Sequence, residues 1–213
     1  MGRQLAQDWP NLKKYQNENA TLQKATSCKE RIVFMGDSIT EFWSISDPHF
    51  FSKNLYINRG ISGQTTPQML VRFRADVIAL QPAVVHILAG INDIAGNTGP
   101  ATLEMITNNI FSMAELAHAN QIEVILCSVL PASNFSWKPN QNPVEKVIEL
   151  NVIIKNYADA NDIHYLDYFS TMKDKHNGLH ADYSGDGVHP NKLGYQIMAP
   201  IAEKAIAEVL GKK

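Results

Sequence analysis

Five short apolar runs punctuate the chain: Arg31 to Met35, Leu55 to Asn58, Ala83 to Leu88, Glu123 to Ser128 and His164 to Asp167. Each is mostly apolar, as strands covered on both faces of a sheet are. Between them the spacing becomes helical. Thr66-Pro67 opens a helix through Leu80, and Thr102 to Ala119 carries Leu103, Ile106, Ile110, Met113 and Leu116 at helical intervals. Asn142-Pro143 opens a third helix, with Val144, Val147, Ile148, Val152 and Ile153 as its apolar stripe, and a last one runs from near Lys192 to Leu210. Ahead of the first strand, Asp8-Trp9-Pro10 reads as a helix start, with Asp8 as cap and the helix reaching to near Lys24. Strand and helix alternate, so the pattern predicts an α/β fold: a parallel sheet with helices on both faces.

The totals narrow the picture without changing it. The 213 residues suit one domain, 1–213, with residues 1–30 as an N-terminal helical segment packed on it. There is no internal repeat, low-complexity tract or linker. Charged residues make up 19%, the formal net charge is -2, and no lysine or arginine block is present to follow a phosphate backbone, which argues against nucleic acid as a partner. No apolar stretch approaches the roughly 18 to 20 residues that a bilayer span requires. The N-terminus lacks the apolar core of a signal peptide. It fits either a cytosolic start or, with Leu5-Ala6-Gln7 at the end of a processing site, an exported protein after removal of its signal. Cys28 and Cys127 are too few for a disulfide framework and read as buried free thiols.

Sheets of this kind place their active groups at the carboxyl ends of the strands. Ser38 follows the first run in GDS, Gly60 to Gly63 follow the second in NRGISG, and Gly90 to Asp93 follow the third as GIND. After the fourth comes VLPASNFSWKPNQNP, a polar and aromatic loop long enough to reach over the same edge. A serine hydroxyl needs a base, and the base needs an orienting acceptor. DGVHP supplies both, with Asp186 and His189 three residues apart. Acyl transfer also needs donors for the developing oxyanion, which the backbone around Gly63 and the side chain of Asn92 offer. Taken singly, each of these also reads as ordinary turn chemistry.

In this order the four blocks resemble the SGNH, or GDSL-type, hydrolases over nearly the whole chain, from Arg31 to Leu210. The resemblance implies a flavodoxin-like three-layer α/β/α sandwich with a five-stranded parallel sheet. It implies Ser38 as nucleophile, His189 as base and Asp186 as its orienting acid. The oxyanion hole would be formed by Ser38, Gly63 and Asn92, and neither a metal nor an organic cofactor is needed. NRGISGQT, AGIND and DGVHPNKLGY look most like the small bacterial esterases related to platelet-activating-factor acetylhydrolase. That favours a small-molecule or carbohydrate ester with a short, acetyl-like acyl group. The competing readings are a lysophospholipase or thioesterase and, in a different class, a non-catalytic glycan- or lipid-binding module.

The remaining candidates carry less. No G-x-S-x-G elbow occurs, so the α/β-hydrolase signature is missing. His176, His180 and Asp182 in HNGLHAD stand at metal-compatible spacing but among turn formers, which favours a solvated loop. His86 lies inside a strand and reads as a core histidine, while Asp37 and Asp93 read as loop-holding carboxylates. Phe42, Trp43 and Trp137 are candidates either for a substrate-facing wall or for the core.

Overall fold

The computed structural model describes residues 8–23, 31–54, 56–139 and 141–211. Five parallel strands, β1 (Ile32–Gly36), β2 (Tyr56–Gly60), β3 (Val84–Leu88), β4 (Glu123–Cys127) and β5 (His164–Leu166), form one sheet in the order β2-β1-β3-β4-β5. β1 and β3 are buried at every residue, which is why their sequences run apolar without alternation. The helices are α1 (Gln16–Gln23), α2 (Ser38–Ser46), α3 (Pro48–Ser52), α4 (Thr66–Asp76), α5 (Ile91–Ile94), α6 (Leu103–Ala119), α7 (Val144–Ala160), α8 (Phe169–Met172) and α9 (Lys192–Gly211). α4, α6 and α7 pack together on one side of the sheet, and α2 and α9 on the other. None of the described helices is long and apolar enough to cross a membrane.

The strand order reverses at β1, whose neighbours are β2 on one side and β3 on the other, and this is where open α/β sheets bind ligands. The register places Gly36 beside both Gly60 and Leu88, so the segments that follow β1, β2 and β3 leave the sheet at one level. α2 begins immediately beyond Gly36 and lies against the end of β2; a Cβ on Gly60 would run into the main-chain nitrogen of Glu41. Only glycine permits that approach.

Three expectations are corrected. The helix expected from Asp8 starts at Gln16 instead: Asp8 caps a turn, accepting from Leu12 N at 2.8 Å and Lys13 N at 3.1 Å, and Asn11 turns left-handed at φ 55°. The Pro10 carbonyl, which a helix would use internally, accepts from the side chain of Gln64 at 2.7 Å. The end near Lys24, the strand start at Leu55 and Cys28 lie outside the described residues. In α7 the buried face is Val147, Leu150, Asn151, Ile154 and Ala158, while Ile148 and Val152 face solvent. Asn151 turns the helix that way because its side chain holds both Val129 N (2.7 Å) and Val129 O (3.0 Å). Finally, the helix expected through Leu80 ends at Asp76 and is followed by a short 3-10 turn, Ile78–Leu80.

A buried polar chain ties α1 to the reversal point. Arg59 on β2 donates to Asn19 Oδ1 from Nε (3.0 Å) and Nη2 (2.8 Å), and Asn19 donates to Asp76 Oδ1 at 2.6 Å. Asp76 Oδ2 pairs with Arg72 Nη1 at 2.9 Å. Arg72 in turn donates to Gln64 Oε1 (2.6 Å) and to the Gly36 carbonyl (3.0 Å).

Candidate active site

Asp37 ends the first strand run by capping α2: its Oδ1 accepts from Ile39 N at 2.9 Å, which makes Ser38 the first helical residue. Ser38 Oγ lies 2.9 Å from His189 Nε2, and His189 Nδ1 lies 2.6 Å from Asp186 Oδ2. The short Asp-x-x-His spacing is held by the backbone as well. Asp186 Oδ1 accepts from Val188 N (2.9 Å) and His189 N (2.8 Å), folding the tetrapeptide around the carboxylate. Partial burial pushes the Asp186 carboxyl up, but the His189 ring and these two N–H groups outweigh it and hold the group at about 2. It is therefore ionised at neutral pH and fixes the His189 tautomer, with the proton on Nδ1 and a lone pair on Nε2 facing Ser38.

Ser184, which is not among the residues expected from sequence, completes this turn. Its hydroxyl lies 2.7 Å from the His189 carbonyl and 3.1 Å from Asp186 Oδ1, and it accepts from Gly187 N at 2.9 Å.

Gly63 and Asn92 come together as a second group. Gly63 has φ 77°, which glycine adopts without strain. Asn92, buried on α5, donates from Nδ2 to the carbonyl of Gln64, the residue after Gly63, at 3.0 Å. Both groups converge on the end of β1, where Ile61 N donates to the Gly36 carbonyl at 3.1 Å. A cavity of about 740 Å³ opens beside Gly63, lined among others by Trp9, Asn11, Ser62, Gln64, Asn97 and Thr98.

The aromatic candidates separate. Trp43 is wholly buried and stacks on Phe50, so it belongs to the core. Phe42 and Trp137 flank the imidazole, with ring centres 5.3 and 6.3 Å from that of His189. The long loop after β4 brings Trp137 there by anchoring on the loop after β3: Lys138 Nζ donates to the Gly96 carbonyl at 3.2 Å and also to that of Ala95. His86 is fully buried, its Nε2 facing the Tyr168 hydroxyl (2.9 Å) and the Cys127 thiol (3.0 Å), and burial lowers it to about 3, so it is neutral. Among the described residues no three His, Cys, Asp or Glu side chains are grouped to hold a metal; His180 Nδ1 accepts from Asp182 N at 3.3 Å, within a turn.

Asp37 and Asp93 carry a pH signature. Burial raises Asp37 to about 7 against the pull of the Ile39 N–H, and raises Asp93 to about 6 against the hydroxyl and N–H of Thr66. A carboxyl raised in this way holds its proton more tightly when folded than in the unfolded chain, where aspartate titrates near ~3.9. Its contribution to stability is complete below that value and is lost as pH rises through the folded values of about 6 and about 7. Asp186 has the opposite sign, and its contribution is lost only as pH falls toward about 2. Asp37→Asn keeps an acceptor for Ile39 N, so the melting temperature of the variant relative to the parent should climb steadily between about pH 5 and about pH 8. A constant offset across that range would contradict the assignment.

The fold is a parallel sheet between helical layers, with Ser38, His189 and Asp186 hydrogen-bonded in line beyond the end of β1. Residues 34–197 match the GDSL-like lipase/acylhydrolase family, and the chain belongs to it. Among solved structures, a GDSL-like lipase from Bacteroides thetaiotaomicron is 47% identical with a TM-score of 0.90, covering 94% of this chain and 98% of that one. A protein provisionally described as an acylhydrolase, from Bacteroides fragilis, is 47% identical with a TM-score of 0.92, covering 95% and 99% respectively. An acetylxylan esterase from Geobacillus stearothermophilus shares the fold at 20% identity, with a TM-score of 0.67 over 83% of this chain and 94% of that one. No match was found among the curated proteins.

Proposed function

We propose that this acylhydrolase is a serine esterase for short-chain esters, acetyl above all, carried on a polar alcohol such as a sugar. The observation that carries the reading is the unbroken hydrogen-bonded line from Ser38 Oγ through the His189 ring to Asp186. As Ser38 Oγ attacks the carbonyl carbon, its proton passes to His189 Nε2 and the carbonyl electrons move onto oxygen. The main-chain N–H groups of Ser38 and Gly63 and the Asn92 amide receive that oxyanion. Collapse breaks the ester bond, and the departing alcohol takes the proton from His189. Water then attacks the acyl-enzyme as His189 accepts its proton; the bond from the acyl carbon to Ser38 Oγ breaks, Oγ takes that proton back from His189, and the free acid leaves.

Short acyl groups are favoured by the surroundings of the imidazole, where Phe42 and Trp137 close in. The alcohol portion would lie in the cavity beside Gly63, whose wall is more apolar than polar: Ile61 and the part-exposed Trp9 indole give a face on which a sugar ring can stack, with Asn97 and Thr98 within the same wall for its hydroxyls. The test is a rate series on aryl esters of increasing acyl length. kcat/KM should be greatest for acetate and fall steadily, whereas a maximum at eight carbons or more would favour a lipid acylhydrolase.

A further inference from the structure

We propose that Asn97 is a positioning residue that holds the Asn92 amide with its N–H side toward the reaction cleft. The inference rests on Asn92 acting as an oxyanion donor, as proposed above, and adds what orients it. A carboxamide is nearly symmetric in shape but opposite in charge at its two ends. Turned over, Asn92 would present an oxygen to the oxyanion and oppose the reaction that it is meant to assist.

Two contacts forbid that turn. Asn92 Nδ2 donates one hydrogen to the Gln64 carbonyl at 3.0 Å, leaving the other for an oxygen in the cleft. Asn92 Oδ1 accepts from Asn97 Nδ2 at 2.9 Å. Reversing the amide would set oxygen against the Gln64 carbonyl and nitrogen against the Asn97 amide nitrogen, so both contacts would become repulsive. Asn97 is itself placed by its backbone, whose N–H donates to the Asn92 carbonyl at 3.0 Å. Its Nδ2 also lies 3.3 Å from the Gly63 carbonyl. One exposed side chain thus bridges the two segments that carry the proposed oxyanion donors. Because Asn97 also lines the cavity beside Gly63, a role in direct substrate contact is the competing account.

The experiment is steady-state turnover of an aryl acetate by Asn97→Ala and Asn97→Asp, each made alone and on an Asn92→Ala background. Asn97→Ala should lower kcat roughly tenfold to a hundredfold, the scale of a small misplacement in a reacting constellation, with KM nearly unchanged. Asn97→Asp should be worse despite its matching shape. A carboxylate only accepts, so it attracts the Asn92 amide nitrogen and favours the turned-over state. On the Asn92→Ala background both further losses should vanish, since the group being positioned is gone. The Asn97 side chain is exposed, so thermal unfolding should show its single variants as stable as the parent and the double variants as stable as Asn92→Ala alone.

Three results would overturn the inference: wild-type kcat in Asn97→Ala, a loss confined to KM, or the same loss with Asn92 already removed. Full activity in Asn92→Ala would remove its premise. Failure of the underlying esterase reading is distinguishable, because the unsubstituted chain would then turn over no ester at all.

Discussion

Ser38→Ala should reduce turnover of an aryl acetate by roughly four to six orders of magnitude, to what the oxyanion donors and binding alone can supply. The hydroxyl lies within hydrogen-bond reach of the base, His189 Nε2, and alanine leaves nothing there to be activated. The neighbouring carboxylate, Asp37, is committed to the start of α2, and burial leaves it protonated well above the usual aspartate range. Folding should be almost unaffected, because the backbone of α2 is capped by Asp37 rather than by Ser38. A variant retaining the parent's rate would place the nucleophile elsewhere.

The second large effect concerns stability. Arg72 and Asp76 are both buried, and Asp76 meets Arg72 on one oxygen and Asn19 on the other. Burial pulls the Arg72 pKa down, and the Asp76 carboxylate is the strongest influence that pulls it back. Asp76→Ala strands a guanidinium in the interior, which costs roughly 3–5 kcal/mol. For a chain of this size that corresponds to a fall in melting temperature of roughly 6 to 20 °C. Replacing both partners together, as Arg72→Met with Asp76→Leu, should cost much less, because no charge is left unpaired. Activity in the double variant should still suffer, since Arg72 also holds the Gly36 carbonyl and Gln64 at the rim of the site. Thermal unfolding of the single and double variants checks the stability claim; Asp76→Ala unfolding within about a degree of the parent would contradict it.

The sheet was legible in the sequence because its central strands β1 and β3 are buried at every residue and so run almost wholly apolar, as IVFM does and as VVHIL does apart from the buried His86. α6 was legible because Ile106, Ile110 and Met113 keep one face. α2 and α3 were not anticipated. Their residues Ile39, Trp43, Phe50 and Phe51 are buried around two short helices broken at Asp47-Pro48, so no single periodicity extends far enough to be seen. The apolar stripe of α7 misled because an asparagine, Asn151, occupies its core face, and periodicity has no means of recognising a polar residue that is satisfied by backbone. The start of α1 misled because Asp-x-Pro signals a cap whether the chain behind it turns once or continues as helix.

The candidate site divides along the same line. Ser38, Gly63, Asn92, Asp186 and His189 lie in short motifs that each read singly as turn chemistry; only their order along the chain points to a shared site. Ser184 and Asn97 act through other groups, by hydrogen bonds that only the folded chain creates. Nothing in an isolated serine or asparagine distinguishes such a role from that of a turn residue.

The most direct test is to treat the folded protein with a fluorophosphonate, which phosphonylates only a serine made nucleophilic by its surroundings, and to locate the adduct by mass spectrometry of the digested chain. One adduct is expected, on Ser38, absent when His189 is replaced by alanine. An unlabelled Ser38 in folded, ester-hydrolysing protein would contradict it.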